Sequence, residues 1–204
     1  MILYALQSCA HRSFLKESVM KSLLENIRMK LNNEHIVRIK LIDQEDFSSI
    51  VRKTREILLA SGRNDISDEY LERGVFALKQ YYALAMLDPA NAHAISDIVD
   101  PFWHAHILHS EQYVPFCTSV VGEYMHHRPL DKSNAGHVEI ISRLYDYTHT
   151  VLQSFFVNVD DLFWPKAVSD VTLICWHKGN SSIYQDLQKI RLLEPSFAGQ
   201  GYAH

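Results

Sequence analysis

The stretch DPFWHAHILHSEQY, residues 100–113, sets His104, His106 and His109 between Trp103 and Tyr113. A second stretch, EYMHHRP, residues 123–129, adds His126 and His127. Five of the chain's 12 histidines thus fall within residues 104–127. Imidazole is the commonest protein ligand for transition metals, and a bound metal needs three or four protein donors. The five histidines are therefore the candidate metal ligands. Asp100, one helical turn before His104, is the candidate carboxylate that accepts a ring N–H and fixes the orientation of a ligand.

Helical spacing divides the five. At 3.6 residues per turn His104 and His106 point about 160° apart, so a regular helix cannot offer both to one ion. His106 and His109 share a face, and Tyr113 stands on it too. Either His106 and His109 form one edge of a site, or a distorted helix start lets His104 and His106 both reach it. One face supplies two donors, so His126 and His127 are the source of the remainder, brought back by a turn at Gly122 or at Thr118-Ser119. Trp103, Ile107 and Val114 form a separate stripe expected to pack into the core. The opposing reading makes the histidines surface or hydrogen-bonded core residues that stitch helices together, leaving a non-catalytic interaction module.

Imidazole donors suit iron, copper or zinc alike. With iron or copper, an open position beside Tyr113 suits oxidation of a small molecule or peptide. With zinc, a bound water suits hydrolysis or hydration, with Glu111 or Glu123 as base. The candidate catalytic residues are thus Tyr113, Glu111 and Glu123, and an aromatic-rich neighbourhood favours the oxidative version. Cys117 lies at helical spacing from Tyr113 and Val114, as expected of a buried inert thiol. Cys175 and His177 could add donors, but a core cysteine beside a loop histidine fits ICWHKG better. No G-x-S-x-G, Walker A, G-x-G-x-x-G or haem-attaching C-x-x-C-H occurs.

The elements that must position these residues read mainly as helices. Apolar periodicity predicts helices over 13–31, 47–60, 102–116 and 138–156, with a short one over 119–125. A further helix after Ser67, the expected N-cap, ends at Asp88-Pro89. Asp100 is expected to cap the histidine helix, with Pro101 at its first position. Residues 35–42 alternate apolar and basic side chains, which predicts a short strand or an extended connection, and VTLICW at 171–176 reads as a strand. A last helix over 183–193 and a flexible tail follow. The expected architecture is a single mainly α-helical domain or bundle over residues 1–165, with a short C-terminal extension over 166–204.

Composition limits the function classes. A net charge of −4 with scattered Lys and Arg lacks the basic face that nucleic acid requires. No apolar run approaches the roughly 18 residues of a membrane span, and the first residues lack the basic start of a secretory signal. Three cysteines far apart, with no C-x-x-C, suit a reducing cytoplasm. The expected partner is a small-molecule or peptide substrate.

The order IVDPFWHAHILHSEQYVPFC, then VVGEYMHHRPL, resembles the glycine-rich domain-containing protein-like family. The resemblance is carried by Val99, Asp100, Phe102, Trp103, His104, His106, Ile107, Leu108, Tyr113, Gly122, His126, His127 and Pro129. It covers about residues 75–130, including YYALAMLDPA, which is similar to that family's preceding helix. His109 stands where bacterial relatives carry Asp, as in plant-type modules, and a cysteine-rich C-terminal stretch is missing apart from Cys175. The resemblance implies His104 and His106 as the recurring pair and names no reaction.

Overall fold

The computed structural model describes residues 22–129, 135–166 and 175–177. They form six helices and a small sheet, so the fold is mainly α. The helices are α1 (Asn33–Gln44), α2 (Ser48–Ala60), α3 (Asp68–Leu87), α4 (Asp100–Leu108), α5 (Ser110–Val120) and α6 (Ala135–Phe155). The strands are β1 (His93–Ile95), β2 (Arg128–Pro129) and β3 (Cys175–His177).

Helix α3 is the hub and touches all five other helices. Ser67 starts it as expected, its Oγ accepting the Tyr70 amide at 3.0 Å, and it ends before Asp88-Pro89. Every residue from Gln80 to Leu87 is buried. A helix that is apolar around its whole circumference belongs at the centre of a bundle, with the others laid against it. The α2 boundary also agrees with the sequence, and Gly62 leaves that helix with φ +91°, a left-handed conformation that favours glycine.

Several expectations need correction. Residues 35–42 lie in α1, not in a strand. Asn32 caps that helix, its Oδ1 accepting the His35 amide at 2.7 Å. Ile39 and Ile42, three residues apart, are buried, while Val37 and Leu41 are exposed. The alternating pattern was therefore half surface, and the cap decides the structure. The helix predicted over 13–31 does not continue through the described part of that range. A 3-10 turn at Leu24–Asn26 gives way to extended backbone at Ile27, which bridges to Phe156. Backbone and side-chain groups of residues 26–28 bond to residues 155–158: Arg28 N to Phe155 O at 2.8 Å, Arg28 Nε to Phe156 O at 2.7 Å, Asn26 Nδ2 to Asn158 O at 2.9 Å.

The single helix expected over 102–116 is two. Val99 occupies the cap, Asp100 is the first helical residue, and the helix breaks at His109 with φ −93° and ψ 58°. The His109 ring bonds to the Ala105 carbonyl through Nδ1 at 2.7 Å, while its own carbonyl accepts from Gln112 and Tyr113 to open α5. Gln112 fixes the new direction by donating to the Asp46 carbonyl at 2.8 Å and accepting from Ser49 Oγ at 3.3 Å. After the break Val114 is exposed rather than part of the core stripe. The helix expected over 119–125 is also absent. Helix α5 stops at Val120, Gly122 turns the chain with φ +99°, and residues 124–127 run without helical structure into β2.

The sheet has the order β1-β3-β2, antiparallel throughout, with His93 opposite His177 and Arg128 opposite Trp176. Part of the strand expected at 171–176 is thus β3, while residues 171–174 lie outside the described residues. So do the helix expected over 183–193 and the tail. Among the described residues no helix is long and apolar enough to cross a membrane.

Gly74 sets how closely α4 approaches α3. A Cβ on Gly74 would lie 2.0 Å from Cζ of Phe102, a ring that is itself fully buried. Gly74→Ala is expected to force the two helices apart and to cost about 2–3 kcal/mol, the range for overpacking a filled core. A lowered urea midpoint with an unchanged slope is the measurement.

Candidate metal centre

Helix α4 places Asp100 and His104 four residues apart, on one face. Asp100 Oδ2 lies 3.4 Å from His104 Nδ1, and Asp100 Oδ1 lies 3.1 Å from His127 Nε2. The ligand atoms of the three residues all fall within 4.8 Å of one another, so this group could hold a metal ion. The imidazoles of His104 and His127 are 4.3 Å apart, centroid to centroid. Asp100 is buried, the His127 side chain is 16% exposed and that of His104 is 45% exposed. Access is therefore from the His104 side.

His127 arrives from the segment after Gly122 and is seated by two contacts. Its ring lies 4.8 Å from the buried Trp103 ring. The Tyr113 hydroxyl donates to the Met125 carbonyl at 2.7 Å while accepting the Trp103 indole N–H at 2.9 Å. Trp103, between Phe102 and His104 in α4, is thus both core anchor and floor of the site.

Burial lowers the His104 pKa from its ordinary value; Asp100 opposes this and His127 adds to it. The neutral ring, the form that ligates metals, is favoured. As His127 sits, its Nε2 hydrogen is the one that reaches Asp100. A metal ion in its place is compatible with a neutral ring carrying the hydrogen on Nδ1.

The other sequence candidates lie elsewhere. His106 faces the core, fully buried, with Nδ1 2.8 Å from the Tyr82 hydroxyl and rings of Phe47, Tyr113 and Phe116 around it. Its Nε2 has no hydrogen-bond partner among the described residues. His109 caps the break between α4 and α5. His126 is exposed, edge-on to Tyr124 at 4.7 Å. Glu111 and Glu123 are exposed, and neither belongs to the ligand group. Tyr113 is buried and committed to its two hydrogen bonds. Burial pushes the Cys117 thiol up to about 11, as suits an inert side chain.

Sequence reasoning gave Asp100 a supporting part, and the geometry puts it at ligand distance. It also passed over a second buried cluster, at the end of α3. The Asp88 carboxylate accepts from Asn91 at 2.9 Å and from the Tyr147 hydroxyl at 2.6 Å, with His93 Nε2 at 3.2 Å. Burial works to raise the Asp88 pKa, but the hydrogen bonds and charge of His93, Tyr147 and Asn91 outweigh it and hold the carboxyl below its ordinary value. The spacing of Asp88 from His93 offered a signal, but Tyr147 comes from a distant helix.

Helical bundle and Asp/His/His group together define a mainly α domain with a candidate mononuclear metal centre. The chain belongs to the UCP032817-like family, which matches residues 37–147, more than half of its 204 residues. This replaces the glycine-rich domain-containing protein-like family suggested by the motif. That likeness rested on a short run whose Trp103, His106 and Tyr113 are fixed by packing, and such a run is a weaker family marker than a match from α1 into α6. No curated protein and no solved structure matches the chain.

Burial depresses the His106 pKa from 6.5 to about 3, with His109 adding to the effect. The folded state therefore prefers the neutral ring. Its contribution is complete above pH 6.5 and is lost as pH falls from there toward 3, by about 1.4 kcal/mol per pH unit. Urea denaturation at stepwise pH should show this slope in the wild type and its reduction by one proton in His106→Phe.

Proposed function

We propose that Asp100, His104 and His127 hold one divalent transition-metal ion, and that the chain is a metalloenzyme acting oxidatively on a small molecule or peptide. The observation that carries the reading is the convergence of one carboxylate and two imidazoles within 4.8 Å. Two histidines and a carboxylate on one side of an ion, with positions left open, is the donor set of mononuclear non-haem iron(II) sites. The half-exposed His104 leaves the outer side for an oxidant and a substrate. Trp103 and Asp100 close the inner side. Zinc accepts the same donors, but hydrolysis also calls for a positioned base. Glu111 and Glu123 stand outside the ligand group, which favours the oxidative version. A reducing, cytoplasmic compartment suits both iron(II) and a free thiol at Cys117.

Anaerobic calorimetric titration with iron(II), and in parallel with zinc(II), tests the site. One ion per chain is expected, with iron(II) at about 100 times its Kd raising stability by about 2.7 kcal/mol. Asp100→Ala and His127→Ala should each weaken binding by about 100-fold or more, while His126→Ala leaves it unchanged. Failure to bind either metal, or equal losses in His126→Ala and His127→Ala, would remove the proposal.

A further inference from the structure

We infer that Tyr124 is a surface oxidation site connected to the metal centre through Trp103, where small phenolic reductants are oxidised with hydrogen peroxide as oxidant. The inference rests on the metal reading above and supplies its substrate class and the route by which an oxidising equivalent leaves the ion.

Indole and phenol rings are the side chains that most readily give up one electron, and electron tunnelling weakens steeply with the gap between rings. The aromatic contacts here run outward from the site. The Trp103 ring is 4.8 Å from that of His127. The Trp103 indole N–H is 2.9 Å from the Tyr113 oxygen, and Tyr113 meets Tyr124 edge-on with centroids 5.4 Å apart. Tyr124 is 39% exposed. A second branch runs from Trp103 to Tyr81 at 5.3 Å and on to Trp164 at 6.0 Å, but Tyr81 and Trp164 are fully buried. Among the described residues, the branch through Tyr113 is the one that leads to an exposed phenol.

Proton chemistry selects where the hole stops. An oxidised phenol becomes stable when its proton leaves. Tyr113 donates its O–H to the Met125 carbonyl, which is no base, and it is buried away from water. Tyr113 therefore bridges and does not store the radical, whereas Tyr124 can release its proton to solvent. Peroxide takes two electrons and two protons to become two waters. One electron comes from iron(II), which becomes iron(III), and the other from Trp103, which becomes a radical cation. Tyr124 then returns an electron to Trp103 across Tyr113 and loses its phenolic proton to water. One phenolic reductant restores the Tyr124 O–H by giving up a hydrogen atom. A second phenol gives an electron to iron(III), restoring iron(II), and releases its proton. One peroxide and two phenols thus yield two waters and two phenoxyl radicals. The exposed rings of Tyr124 and His126, edge to face with centroids 4.7 Å apart, form an aromatic corner against which a flat phenol can lie.

The test uses the full chain loaded with iron(II), with bound iron measured in every sample, mixed with one equivalent of peroxide and freeze-quenched for electron paramagnetic resonance. The wild type should give a tyrosyl signal that narrows when tyrosine is ring-deuterated. In Tyr124→Phe, an exposed and conservative change, that signal should vanish or give way to an indole signal, and peroxide-dependent guaiacol oxidation should fall at least tenfold. His127→Ala should lose both signal and iron. An unchanged tyrosyl signal in Tyr124→Phe, or none in iron-loaded wild type, overturns the conduit and leaves the metal site standing. A wild type that retains no iron overturns the metal reading and this inference with it.

Discussion

One oxygen atom, the Tyr113 hydroxyl, holds the site together. It accepts from Trp103 in α4 and donates to Met125 in the segment beyond Gly122, while its own ring belongs to α5. Three pieces of chain that share no regular secondary structure thus meet on one buried group. Two hydrogen bonds at a buried hydroxyl are costly to leave unmade, so each piece fixes the other two. His127 owes its place to this arrangement, because a residue two positions past Met125 has little freedom once that carbonyl is held.

Among the described residues, imidazoles sit in three contrasting settings, and the contrast separates structure from chemistry. His106 enters an aromatic cage as a neutral ring with one hydrogen bond. His93 is buried beside a carboxylate that also receives a tyrosine and an asparagine. His104 and His127 share a carboxylate too, but beside each other, with His104 45% exposed. Only the last combines donors of metal-binding type with access from solvent.

Much of the bundle was legible because its signals are local. Ser67 as a cap, the proline after Asp88 and Gly62 beyond α2 each act within one turn of the residues they control. The strand expected at 35–42 was misread because alternation over eight residues also fits a short helix with one buried edge, and Asn32 lay outside the window. Within the site, the angular argument correctly separated His104 from His106, and the i, i+4 relation of Asp100 to His104 was visible. Which of the five histidines would meet was not. That depends on the break at His109 and the turn at Gly122, and the break is held by Gln112 reaching the loop between α1 and α2. Tertiary contacts of that kind leave no periodic mark. The family likeness failed for a related reason: it rested on a short run whose residues are largely fixed by packing, whereas the matching family model spans residues 37–147.

The clasp between residues 26–28 and residues 155–158 bears on how the protein is made. Asn26 and Asn158 exchange hydrogen bonds across 132 positions, and Gln80, in the central helix, also reaches the Asn158 carbonyl. On a ribosome the first of these partners emerges long before the last. The segment around Ile27 cannot make these contacts until α6 has been completed, and loop closure over such a span is slow relative to local helix formation. The metal-site helices can consolidate on α1, α2 and α3 earlier, and the contact of Phe102 with Phe163 is added later. Synthesis therefore assembles the helices around α3 first and fastens residues 26–28 to residues 155–158 afterwards.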